Sequence, residues 1–378
     1  PWIEKVKVAT KGRITIEILK APLGPPPAHF DFAVNGIVDI TYGVHNYTAG
    51  RFPTTRLAEL PFLSNSSEIL SVAWQRIYER ELLKLNEHKG THLLGVFTHG
   101  PGQLWLNNFY NSLESIKGLK IRIGGGIAQS SAKALGLVPL QAPVTKAYEL
   151  LSGGVADGIT LPAESISFFK LDRIIKQGFL VEGGLYNVSM FVVMNKKKWD
   201  SLSKIDQEAI TSVSRIELAK LAGKAWDNAD REGIIISKQN GVKITQLSES
   251  DKKLIKKILS PIIEETLKKI EKEKNIDAHK IYSLLIEEIN GNRKIGKMSD
   301  IFSVHSGIIT GNNRAYYHNN QIYGSLPTIR SPKETTSILF TKSNVKTWIQ
   351  KNGADFKIRK APLLWTDLRG GRHVVVWN

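Results

Sequence analysis

Lys117-Gly118-Leu119-Lys120-Ile121-Arg122-Ile123-Gly124, together with the later stretch Thr145-Lys146-Ala147-Tyr148-Glu149-Leu150-Leu151-Ser152-Gly153-Gly154-Val155-Ala156-Asp157-Gly158-Ile159-Thr160, decides the fold. Between them, Ala134-Leu135-Gly136-Leu137-Val138-Pro139 reads as a helix end running into a buried strand. The order is strand (Leu119–Ile123), helix (Ile127–Leu135), strand (Val138–Leu140), helix (Val144–Leu151) and strand (Val155–Leu161), which predicts a parallel α/β sheet. Arg122 then stands at the carboxyl end of the first strand, where open α/β sheets bind ligands. Its planar fork of donors suits bidentate capture of a carboxylate. Ile121 and Ile123 point to the opposite strand face, leaving Arg122 and Lys120 on the other.

On the amino-terminal side, Arg13–Leu19 (RITIEIL) alternates like a first strand, and Gly24-Pro25-Pro26-Pro27 is a stiff turn before a helix at His29–Val34. Asn35–Tyr42 reads as a buried strand whose end carries Tyr42, His45 and Tyr47 into a loop. Ser66-Ser67-Glu68 supplies a cap and an early acid for a helix running to about Asn86. Thr91–Thr98 and Tyr186–Asn195 read as the two strands that cross between lobes. The helical pattern from Ile205 to Gln239 looks unbroken and would span roughly 50 Å. That exceeds one small domain, so the helix is expected to brace two lobes. Gly241–Leu247 follows as a strand, then helices at Ser248–Lys274, kinked by Pro261, and Asp277–Glu288.

The chain has 378 residues, enough for two domains and a remainder. Its apolar fraction, 42%, is that of a globular protein, and no run approaches the roughly 18 apolar residues that span a bilayer. With no cysteine, disulfides, thiolate metal sites and cysteine nucleophiles are excluded. No His/Asp/Glu spacing resembles a metal site, no pair of acids is set for hydrolysis, and no cofactor is expected. Gly124-Gly125-Gly126 before a helix lacks the Lys-Ser/Thr pair of a P-loop and the spacing of a dinucleotide fingerprint. The opening Pro1-Trp2-Ile3-Glu4 carries no secretory leader.

Several of these stretches resemble the periplasmic solute-binding proteins of TRAP (tripartite ATP-independent periplasmic) transporters. Glu114-Ser115-Ile116-Lys117-Gly118-Leu119-Lys120-Ile121-Arg122 matches that family's DLKGLKIR stretch, and Tyr148 to Gly158 its YEALQRGVVDG stretch. Asn35-Gly36-Ile37-Val38-Asp39-Ile40 is similar to its GxxD strand. Tyr47-Thr48-Ala49-Gly50-Arg51-Phe52-Pro53 with Glu59-Leu60-Pro61-Phe62 matches YTPGRFP…ELPF, and Phe191-Val192-Val193-Met194-Asn195-Lys196 its VMNK strand end. The likeness covers residues 1–290. It implies an α/β fold of two lobes, 1–99 with 188–227 and 100–187 with 228–290, hinged near Thr98–Gly100 and Tyr186–Val188 and closing on an organic acid. It further implies a periplasmic monomer that delivers its solute to membrane permease subunits, and an amino terminus lacking the family's opening βα unit.

By the same resemblance the carboxylate is held by Arg122, with Asn187, Tyr47, Thr160 and Glu164 lining the cleft. From the residues alone, Arg122 could equally be a core-edge arginine, Asn187 a turn former and Tyr47 a locally satisfied aromatic. Two positions depart from the family pattern: Ala163 stands where many members carry Trp, and Gly102 where some carry a second arginine.

From Gly291 the texture changes to short β-like runs (Ile301–Val304, Ile308–Thr310, Ser337–Thr341, Val374–Trp377), with no evident partner for the last. Residues 292–378 hold 14 Lys and Arg against 4 Asp and Glu, a net +10 of the chain's +17. Ser299 to Tyr317 resembles the opening of the target-recognition region of some adenine-specific DNA methyltransferases, but no Asn-Pro-Pro-Tyr motif accompanies it. A nucleic-acid-binding protein acting through this basic segment is therefore the rival reading. A fused fragment, with residues 296–378 dispensable for solute binding, is the other.

Overall fold

The computed structural model describes residues 1–48, 50–245 and 247–301, the last with side chains to 291, and five further strands among residues 302–378. It divides into two compact units, Pro1–Ile289 and Asn290–Asn378. The first unit runs α1 (Trp2–Ala9), α2 (His29–Val34), β1 (Ile40–Val44), α3 (Ser67–Ile77), β2 (Thr91–Thr98), β3 (Gln103–Leu106), β4 (Lys120–Ile123), α4 (Ile127–Ala134) and β5 (Val138–Gln141). It continues through α5 (Ala147–Ser152), β6 (Gly158–Leu161), α6 (Ala163–Phe168), β7 (Gln177–Phe179), β8 (Ser189–Asn195) and α7 (Lys196–Ser201). Last come α8 (Lys204–Ser212), α9 (Ile216–Gln239), β9 (Lys243–Thr245), α10 (Glu249–Lys274) and the start of α11 (Ala278–Ile301), whose residues from Asn290 on fall in the second unit.

Two sheets make the two lobes. One is antiparallel in the order β1-β8-β2, with a bulge between Leu93 and Gly95. The other has six strands, β5-β4-β6-β3-β7-β9. Its β4 is parallel to β5 and β6 as the sequence predicts, but β3 runs antiparallel to β6 and β7, so the sheet is mixed. A core of buried apolar side chains around Trp74, Leu94, Leu106 and Ile121 extends through both lobes. A second, around Trp105, Ile159 and Ile166, lies on the other side of the large sheet.

Three expectations are corrected. Arg13–Leu19 is not a strand; the chain opens with α1, and Ile18 is left 75% exposed. Alternation gave that segment a face, but neither sheet takes it as a neighbour. The helix expected over Ile205–Gln239 is broken into α8 and α9. Arg215 adopts φ 53° there and its N–H bonds Leu94 O at 2.7 Å, a link to β2 that a continuous helix would forfeit. The helix expected to end at Glu288 runs on to Ile301. Ser66 does cap α3, accepting from the Ile69 N–H at 3.2 Å, and α10 runs through Pro261.

α9 binds the two lobes by a repeated device. Asp227 accepts from Ser66 Oγ, Ser67 N and Glu68 N at the start of α3. Three residues on, Asp230 accepts from Glu164 N at the start of α6, at 2.7 Å. Each aspartate satisfies donors that a helix start leaves orphaned. A glycine flanks each contact: a Cβ on Gly223 would fall 2.5 Å from Glu68 Cα, and one on Gly233 2.5 Å from Ala163 O.

In the second unit, β10 (Ala315–His318), β11 (Gln321–Ser325) and β12 (Ser337–Phe340) form an antiparallel sheet. β13 (Leu363–Thr366) pairs with β14 (Arg372–Val375), giving the terminal strand the partner the sequence did not reveal. The runs expected at residues 302–304 and 308–310 lie outside the described residues.

Candidate functional site

Arg122, next to last in β4, is almost wholly buried, at 1% exposure, and is the sole buried lysine or arginine among the described residues. Its Nε and Nη2 both donate to Ala142 O, at 2.9 and 2.5 Å, and no carboxylate among the described residues pairs with it. A buried cation without a counter-charge is costly, and an anion from outside would offset that cost. Tyr47 approaches from the lobe of the small sheet, its hydroxyl accepting from Val144 N at 3.2 Å. Gly124 lies between them: a Cβ there would lie 3.6 Å from the Tyr47 ring and 4.0 Å from Arg122 Nη2, ordinary contact distances.

The rest of the glycine triplet is also a place of close approach. Gly126, with φ 58°, comes within 3.0 Å of Glu59 Oε2 by its notional Cβ. Glu59 is itself buried; its Oε1 accepts from Ser189 N at 3.3 Å and its main-chain carbonyl from Asn187 N at 2.9 Å. Burial raises its pKa to about 8, against the weaker pull of the Ser189 N–H, Asn46 and Arg56. Oε2 is buried without a hydrogen-bond partner of good geometry, so the ionised form would leave part of a buried charge unpaired.

Tyr186 completes the centre. Burial pushes its phenol up to about 12; Thr160 and Arg122 pull it down, while Tyr47 and Glu59 push it further up. That field places Tyr186 among groups from both lobes. Thr160, buried on β6, leaves Oγ1 without a hydrogen-bond partner, so it and the phenol perturb each other without a well-formed bond. Gly102, the departure noted in the sequence, lies under the Tyr186 ring: a Cβ would fall 2.2 Å from Cε1.

Arg122, Tyr47 and Thr160 are thus brought around Tyr186. Asn187 adjoins them through Glu59 but spends its amide on backbone, accepting from Val188 N at 2.7 Å and donating to Gly100 O at 3.4 Å. Glu164 stands further out; its Oε2 accepts from Ser165 Oγ and burial raises its pKa. It and Tyr47 both bear on Tyr42, a half-exposed tyrosine whose phenol pKa is raised chiefly by desolvation. Sequence reasoning missed Tyr186, Glu59 and Asn46 as site residues, although Glu59 is the acid of the quoted Glu59-Leu60-Pro61-Phe62 motif and Tyr186 immediately precedes Asn187. Among the described residues no cluster of His, Asp or Glu could hold a metal ion, and no helix is long and apolar enough to cross a membrane.

Known proteins share this fold. A Bordetella bronchiseptica TRAP periplasmic solute-binding protein, solved with bound (R)- and (S)-mandelate, is 37% identical over 77% of this chain and 93% of its own, with TM-score 0.74. A marine-metagenome TRAP solute-binding protein in complex with 3-hydroxybenzoate is 31% identical over 77% of this chain and 92% of its own, with TM-score 0.72. A Comamonas testosteroni protein described as outer membrane transporter protein TsaT is 26% identical over 71% of this chain and 80% of its own length. None of these comparisons supports the methyltransferase likeness of residues 299–317. The sequence profile of bacterial extracellular solute-binding protein family 7 matches residues 1–270, and the chain belongs to that family.

Proposed function

We propose that this protein is the extracytoplasmic receptor of a TRAP-type secondary transporter, binding a small organic acid between its lobes and delivering it to membrane permease subunits. It is a binding protein rather than an enzyme, as its family is. The observation that carries the reading is Arg122: a buried guanidinium at a strand's carboxyl end, with no carboxylate among the described residues to neutralise it. The relatives solved with mandelate and 3-hydroxybenzoate favour an aromatic carboxylate as solute. Lobe boundaries near residues 99 and 188, and a periplasmic monomer, belong to the same proposal.

The test is a thermal-shift screen of carboxylic acids followed by calorimetry. A true solute at about 100 times its dissociation constant adds roughly 2.7 kcal/mol of stability. Arg122→Ala should weaken binding by about 2–5 kcal/mol while leaving circular dichroism unchanged. Wild-type affinity in that variant would overturn the assignment.

A further inference from the structure

The cleft narrows the solute beyond "an acid", an inference that rests on the receptor reading above. Gly102 and Tyr186 are locked together by backbone, Gly102 N donating to Tyr186 O at 3.0 Å and Leu185 N to Gly102 O at 2.9 Å. Because the Tyr186 ring covers the Gly102 Cα, a side chain at 102 and the ring at 186 exclude each other. His99 fixes the ring from beside, edge-on with centroids 5.8 Å apart, and itself rests against Trp226.

Thr160 Oγ1 is buried without a hydrogen-bond partner of good geometry, and its hydroxyl is the group that bears most directly on the Tyr186 phenol. Two neutral hydroxyls therefore stand in the field of one buried guanidinium, with no second buried lysine or arginine among the described residues. Each hydroxyl can donate or accept, and each gains by finding a partner. A second carboxylate on the solute would instead be buried without a counter-charge.

We propose that Tyr186, seated over Gly102, and Thr160 are the specificity-determining residues of the cleft, admitting a monocarboxylate that carries a hydroxyl and rejecting dicarboxylates. The experiment is calorimetric titration of the full chain with mandelate, with phenylacetate (the same acid without its hydroxyl) and with succinate. The wild type should prefer mandelate to phenylacetate by at least about tenfold, and either to succinate by about a hundredfold. Tyr186→Phe and Thr160→Val, which keep shape and remove one hydroxyl each, should lower mandelate affinity more than phenylacetate affinity and so erase most of the mandelate preference.

Succinate bound as tightly as mandelate by the wild type would overturn the inference and leave the receptor reading standing. So would a mandelate preference unchanged in both variants. No binding of any carboxylic acid would overturn both.

Discussion

Replacing Glu59 by Gln should change how stability depends on pH. Glu59 is buried, and its folded pKa is raised from 4.5 to about 8. A carboxyl shifted in this direction contributes stability that is complete below the unfolded value of 4.5 and is lost as pH rises through about 8. Between those limits the unfolded chain has released the proton and the folded chain retains it. Each pH unit in that window then removes about 1.4 kcal/mol. From pH 5 to pH 7 the wild type should lose about 2–3 kcal/mol through this one group. Gln keeps the shape and the neutral charge but cannot ionise. The buried histidines His45, with a pKa near 3, and His88, also lowered, act in the opposite sense, as does no carboxyl with a raised pKa. They are common to both proteins and cancel in the difference, as does Asp230, raised to about 7. Urea denaturation of both full-length proteins, followed by tryptophan fluorescence from pH 5 to 9, measures that difference. The variant should gain about 2–3 kcal/mol relative to wild type between pH 5 and 7. A difference that stays flat with pH would refute the claim that a protonated Glu59 sits in the fold.

Asp227→Ala strips the start of α3 of an acceptor for three donors and should cost about 1–3 kcal/mol in chemical denaturation; a neutral result would mean those donors are satisfied otherwise. Gly233→Ala would gain about 1 kcal/mol in an ordinary helix interior, but here its Cβ meets Ala163 O at 2.5 Å, so the melting temperature should fall; a rise would show that α9 and α6 can separate freely. Gly102→Ala should displace the Tyr186 ring and weaken solute binding, measured by calorimetry, with far-ultraviolet dichroism unchanged; retained affinity would mean that the ring has no part in the cleft.

The βαβ run from Lys120 to Leu161 was legible because two periodicities alternate there and each strand is short and apolar. Arg122 was legible because a motif pinned it to a strand end, and the structure buries it there. The antiparallel β3 was not legible, since a four-residue strand carries no direction in its sequence and pairing with both β6 and β7 is settled only in three dimensions. The break before α9 escaped for a related reason. Nothing local forces Arg215 to φ 53°; a backbone bond to Leu94, remote in sequence, selects it. Tyr186 and Gly102 lie too far apart in sequence for their packing to leave a periodic trace. Asn187 drew notice as a polar residue at a strand start, yet its amide serves the backbone of the crossing segments.

The paired aspartates on α9 have a mechanical consequence. Asp227 and Asp230 are three residues apart, which separates them by about 4.5 Å along the helix axis. One holds the helix beside the small sheet and the other the helix that follows β6 of the large one. A rotation of the lobes by about 15° around a pivot midway between them would shift each anchor by only about 0.6 Å. Hydrogen bonds tolerate that much stretch and tilt, so both caps can persist through opening and closing. The middle of α9 would then be the still point of the motion, and solute contacts would have no broken anchors to repair when the cleft shuts.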